Sequence, residues 1–282
     1  MQRHLGSSAW GVVVSVGCIG LSGASPELAS SLRTGAPIDP VGLYASAIDT
    51  SDYVERVAPV IRQAISPIGD LLDVGAGGGQ LGHALRDGSH RWTAIEPSAN
   101  MRARLAVFDD GPRIVSAGWE TADVPPDAHD TVLAANVGAW FDEANAFLAQ
   151  CRAWARRTVV WVVPAHHGAR GLVYAGCLPA AWHGEDETPG IDLVLPKLAT
   201  APQTMAFADW TFSGVVADLD VLADYLADRL GWSRSDGRRR QMENHLAAQA
   251  KADPAGYRLD IPRRSAILIW GRPWVGISVA SG

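Results

Sequence analysis

Asp73-Val74-Gly75-Ala76-Gly77-Gly78-Gly79 continues an apolar run that begins at Leu71 and precedes Leu81 and Leu85, which lie four apart on one helix face. A strand that turns through glycines into a helix is the unit from which parallel α/β sheets are built. Glycine lets the backbone turn tightly and approach a ligand with no Cβ in the way, and ligands of open α/β sheets bind at the carboxyl ends of the strands. Asp73 adds a carboxylate at that end, which suits a ligand bearing an ammonium group.

The rhythm continues in both directions. Upstream, Tyr53, Val57, Val60, Ile61 and Ile65 recur at helical spacing and predict a helix over 51–65, ended by Ser66-Pro67. Downstream, strands are expected over 92–95, 113–115, 131–135 and 158–163. Ser98 caps a helix that buries Met101 and Leu105, and a later helix turns Phe147, Leu148, Cys151 and Trp154 inward. Arg152, Arg156 and Arg157 are assigned to the C-terminal end of that helix, where cations meet the dipole favourably. From 165 to 206 the period is lost, and a stretch of that length reads as a functional insert, a lid. A strand over 211–216, a helix with Leu219, Leu222, Leu226 and Leu230 inward, and a last strand over 266–270 complete one domain, 41–282.

Asp73, Gly75, Gly77 and Gly79 match the acid-x-Gly-x-Gly-x-Gly first motif of the class I S-adenosylmethionine-dependent methyltransferases, and the chain resembles that family over roughly 41–270. The resemblance implies a Rossmann-like, doubly wound, mostly parallel seven-stranded sheet, with the lid inserted after the fifth strand. It implies S-adenosylmethionine as cofactor, held by Asp73 and by a turn of Gly75, Ala76, Gly77 and Gly79. Glu96, at the end of the second strand, is then the acid whose two oxygens accept both ribose hydroxyls. Gly118, Trp119 and Glu120 would line the adenine, while Asn136 and Trp140 would border the reacting methyl group. Gly77-x-Gly79-x-x-Gly82 also satisfies the dinucleotide fingerprint, so an NAD(P)-dependent oxidoreductase is the alternative, with a non-catalytic Rossmann-like binding protein as the third possibility. Asp73 ahead of the glycines and the strand that ends at Asn136 favour the methyltransferase.

Composition narrows the substrate. A net charge of −6 and a pI near 5.7 supply no broad positive field, so long nucleic acid is not expected as a partner. An Asn/Asp-Pro-Pro-aromatic motif and a Pro-Cys pair are both absent, which disfavours methylation of DNA bases and leaves a small-molecule acceptor. Cys18, Cys151 and Cys177 form no CxxC pair and the histidines no HxxxH or HxH pair, so no metal is expected. Of His166, His167 and His183, His166 lies nearest a strand end and is the candidate base; the rest of that segment reads as solvent-facing. Arg234, Arg238, Arg239 and Arg240 read as an exposed turn, and Arg263 and Arg264 as charges protecting a sheet edge. Trp154 and Trp161 are assigned to the core, and Trp140, Trp182 and Trp210 to a pocket wall.

Residues 1–40 are a separate question. A basic start, an apolar run from Ala9 to Leu21 and small residues at 22–25 resemble a secretory signal, too short for a spanning helix. A cofactor made in the cytosol argues against export. The segment is therefore read as an extension, or as sequence ahead of a true start near Val41, in a cytoplasmic protein.

Overall fold

The computed structural model describes residues 39–137, 141–169 and 173–272. The N-terminal segment and Trp140 thus lie outside the described residues. Eight strands form one sheet in the order β3 (Arg113–Val115), β2 (Trp92–Ile95), β1 (Leu71–Val74), β4 (His129–Ala135), β5 (Ala155–Pro164), β8 (Gly256–Gly271), β6 (Thr204–Val216), with short β7 (Lys251–Asp253) beside β8. Five of them, β1, β2, β3, β4 and β5, pair in parallel. The long β8 runs back antiparallel between β5 and β6, and β7 extends the sheet by one short rung. No helix among the described residues is long and apolar enough to cross a membrane.

Two apolar layers sandwich the sheet, because alternate strand residues face opposite sides. One layer joins Leu71, Ala94 and Leu133 to Ile48, Tyr53, Val57, Ile61, Leu81 and Leu105. These come from α1 (Pro40–Asp49), α2 (Tyr53–Ala64), α3 (Gln80–Leu85) and α4 (Ala99–Leu105). The other layer joins Leu72, Val74, Val132 and Ala134 to Phe147, Leu148, Cys151 and Trp154 of α5 (Ala144–Trp154). Helix α4 is capped as expected, with Ser98 Oγ accepting from the Met101 amide.

Helix α1 was not anticipated, although Asp39-Pro40 carries its signal: the Asp39 carboxylate accepts from the amides of Val41 and Gly42, and proline stands in the first turn. Arg156 and Arg157 lie in β5, not at a helix end, since α5 stops at Trp154. There Arg156 pairs with Asp70 at 3.0 Å and Asp130 at 3.1 Å. Arg238, Arg239 and Arg240 open a helix, α9 (Arg238–Gln249), rather than a loose turn. Arg234 and Arg239 tie its start to Asp224 and Asp228 of α8 (Leu219–Arg229).

The insert is docked against the sheet. It holds two short helices, α6 (Ala180–His183) and α7 (Gly190–Val194), and β6 already begins at Thr204. Tyr174, Ala175 and Cys177 enter one apolar layer, while Ile191 and Val194 enter the other. The His183 side chain is fully buried against Glu187 at 3.3 Å, which corrects its reading as solvent-facing. Trp210 is buried, edge-on to Tyr53. Trp182 packs against Trp232 and His245.

Candidate functional site

The glycine turn stands at the carboxyl end of β1, where Gly75, Gly77 and Gly79 have φ of 65°, 57° and 88°. An L side chain is strained in that region, and a Cβ on Gly79 would also strike Leu105. The turn closes on itself. The amides of Gly75 and Ala76 donate to the Ile95 carbonyl at 2.8 and 3.1 Å, and that of Gly79 to the Ala76 carbonyl at 2.9 Å.

Glu96 completes the turn from the next strand. Its Oε2 accepts from the Gly77 amide and its Oε1 from the Ser98 amide, both at 2.8 Å, and the residue is 2% exposed. Each carboxylate oxygen keeps a second lone pair, so both can take a further hydroxyl. Burial raises the Glu96 pKa, and the two amides work against that rise.

Asp73 is buried below the turn. Its carboxylate points towards Gly82 of α3, where a Cβ would strike it, and the Trp92 indole nitrogen lies 2.9 Å from the same position. Burial, and then the nearby Glu96 charge, push the Asp73 pKa up to about 8. At neutral pH Asp73 therefore carries its proton until a cation arrives. Gly82 and Trp92 were not foreseen as its neighbours, and the final glycine of Gly77-x-Gly79-x-x-Gly82 is the only trace of them in the sequence.

The other expected residues divide. Ala76 is buried in the turn, and Asn136 follows β4 with φ of 56°, its amide on the Val162 carbonyl. Trp119 sits edge-on to Phe147 in the second apolar layer and is 8% exposed, so little of its ring face is open to stack on a base. Glu120 is exposed and folds back towards Gly118. Asp49, at the end of α1, was missed. It accepts from Gln80 Nε2 at 2.8 Å and pairs with Arg104 at 2.6 Å, which fastens α1 beside the turn.

His166 lies two residues beyond β5, with both ring nitrogens engaged. Arg263 Nη1 donates to its Nε2 at 2.6 Å. An arginine cannot accept, so the neutral ring carries its proton on Nδ1, which donates to the Arg264 carbonyl at 3.0 Å. Burial first, and Arg263 second, lower its pKa to about 4. The lone pair that a general base needs is thus already taken. Arg263 and Arg264 stand on β8 just beyond its last rung with β5, Pro164 with Ser265, so at these positions β8 is paired with β6 on one side, and on the other the Ala165 amide donates to the Arg264 carbonyl. The edge is β6, where Asp52 accepts from the Thr211 amide at 2.6 Å and Ser51 from the Ser213 amide at 3.0 Å.

A family model described as a methyltransferase domain matches residues 72–161, the segment from β1 to β5. No curated protein matches the chain. Among solved structures, a candidate type II methyltransferase from Anaeromyxobacter dehalogenans is similar at 19% identity, covering 76% of this chain and 94% of its own, with a TM-score of 0.47. Magnesium protoporphyrin IX methyltransferase from Synechocystis PCC 6803, with bound S-adenosylmethionine, is similar at 10% identity, covering 87% and 91%, with a TM-score of 0.40.

Proposed function

We propose that this chain, whose residues 72–161 match a model of a methyltransferase domain, is a class I S-adenosylmethionine-dependent methyltransferase that methylates a small-molecule acceptor in the cytosol. When bound, S-adenosylmethionine supplies a methyl carbon on a sulfonium leaving group, open to in-line attack by the acceptor. The observation that carries the proposal is Glu96 at the glycine turn, with one oxygen on the Gly77 amide and the other on the Ser98 amide.

Glu96 is held in one orientation by two amides, so its remaining lone pairs are preorganised for the paired hydroxyls of a ribose. Asp73 lies close enough to feel its charge, and together they make this end of the sheet suited to a cationic ligand. Gly75, Ala76, Gly77 and Gly79 give the ligand a backbone surface free of side chains, and Asn136 stands two strands' ends away from Glu96, after β4. The residues therefore fit the group. The chain needs mainly to orient its reactants, because near-attack geometry supplies much of the acceleration.

The dinucleotide alternative fits less well. A pyrophosphate needs free amides, but those of Gly75, Ala76, Gly77 and Gly79 are engaged within the protein, and two buried carboxyl groups lie directly beneath. Replacing Glu96 with alanine removes the ribose acceptor and leaves the Gly77 amide unpaired. Calorimetric affinity for S-adenosylhomocysteine should fall about a hundredfold, since hydrogen bonds to a charged group contribute ~1.5–3 kcal/mol each. Unchanged affinity would remove Glu96 from the site.

A further inference from the structure

Strands β6 and β8 overrun the rest of the sheet. The last rung of β5 on β8 is Pro164 with Ser265, whereas β6 stays paired with β8 as far as Val216 with Tyr257. Arg263 stands just beyond that step, at the carboxyl end of β5 and on the rim that carries the glycine turn. It is half-buried over the Phe212 ring at 5.9 Å, and burial lowers its pKa. Among the described residues no carboxylate pairs with it, although Asp209 on the adjoining strand is available to Arg264 at 3.7 Å. A half-buried cation with no counter-charge is costly unless a ligand supplies one.

The orientation of the guanidinium is fixed. Nη1 is taken up by His166, and Gly168 and Gly176 pack against the head, where a Cβ would come within 3.1 Å of Nη1 and 3.0 Å of Nη2 respectively. What remains is the edge made by Nε and Nη2, which donates no hydrogen bond to the described residues. That edge is the geometry in which arginine takes a planar carboxylate through two parallel hydrogen bonds. Helix α1 links it to the cofactor turn: Tyr44 stacks near Phe212 at 5.6 Å, and Asp49 holds Gln80 at the start of α3. Tyr44 and Asp49 lie five positions apart on α1, a rise of about 7.5 Å along the helix axis.

We propose that Arg263, oriented by His166, binds a carboxylate of the methyl acceptor. The assignment deepens the methyltransferase proposal and rests on it. His166 is then a positioning residue that presents the free edge of the guanidinium.

The full chain, saturated with S-adenosylhomocysteine, is titrated with benzoate, with its neutral isostere benzamide and with inorganic phosphate, followed by tryptophan fluorescence. Benzoate should bind about tenfold more tightly than benzamide and more tightly than phosphate; Arg263→Gln should remove that preference and Arg263→Lys keep part of it, with S-adenosylhomocysteine affinity unchanged in both. Equal binding of benzoate and benzamide by the unaltered chain would overturn the proposal without recourse to any variant. Tighter phosphate would overturn the carboxylate, and benzoate binding unchanged in Arg263→Gln would overturn the residue. If S-adenosylhomocysteine fails to bind, the methyltransferase proposal falls, while the benzoate and benzamide arms are still read on the protein alone.

Discussion

The two halves of the sheet set different groups on one rim. Over β1 and β2 two buried carboxyl groups, Asp73 and Glu96, lie under the glycine turn. Beside β5, half-buried Arg263 donates through Nη1 to a neutral His166 and pairs with no carboxylate among the described residues. The first half is organised by backbone, in that glycines and amides hold an acid in place. The second is organised by side chains packed between an insert and two long strands. A cationic methyl donor would be sorted to the first half and an anionic acceptor to the second by this difference.

The strongest way to break that contrast is to test whether the halves act separately. Glu96→Ala should lose about a hundredfold in S-adenosylhomocysteine affinity with benzoate binding intact, the converse of Arg263→Gln. Loss of both ligands in either variant would show a single undivided pocket. Gly79→Ala should cost about 2–3 kcal/mol in urea denaturation, because φ is 88° and the new Cβ meets Leu105. Gly88→Ala, with nothing near the Cβ, should stay within ~0.5 kcal/mol of the parent.

Asp73 sharpens the comparison through pH. Its folded pKa, about 8, lies above the ordinary 3.8, so the native state binds the extra proton. The stability linked to this group is complete below pH 4 and is lost as pH rises through 8. Asp73→Asn should remove that loss, so that the variant's stability relative to the parent rises between about pH 4 and pH 8 and levels off above pH 8 in thermal denaturation. A parallel pH dependence in both proteins would mean that Asp73 is ionised throughout. The smallest effect concerns the sheet edge: Asp52→Ala frees the Thr211 amide and should cost about 1 kcal/mol by the same measurement.

The half built from local signals was legible in the sequence. Strands at 71–74, 92–95 and 113–115 match to the residue, because each is a short apolar run bounded by a turn. The antiparallel half was not. Only 266–270 of β8 was foreseen, since Arg258, Asp260, Pro262 and Arg264 interrupt the apolar pattern of the remainder with the side chains of its outer face. Helix α9 buries only Met242 and Leu246, too thin a stripe to stand out. Within the site, Asp73 and Glu96 were found through their motif, but which way Asp73 points depends on Gly82 and Trp92, brought together by folding. The setting of Arg263, paired with β6 but past the end of β5, was out of reach for a related reason. Whether a strand lies at an edge is a property of sheet order, and sheet order is settled by contacts far apart in the chain.

The central claim is that the turn and its two acids receive a sulfonium nucleoside and not a dinucleotide. Calorimetric titration of the unaltered chain with S-adenosylhomocysteine and, separately, with NADH tests it most directly. Saturable heat with the first and none with the second is the predicted result. Binding of NADH without S-adenosylhomocysteine would contradict it.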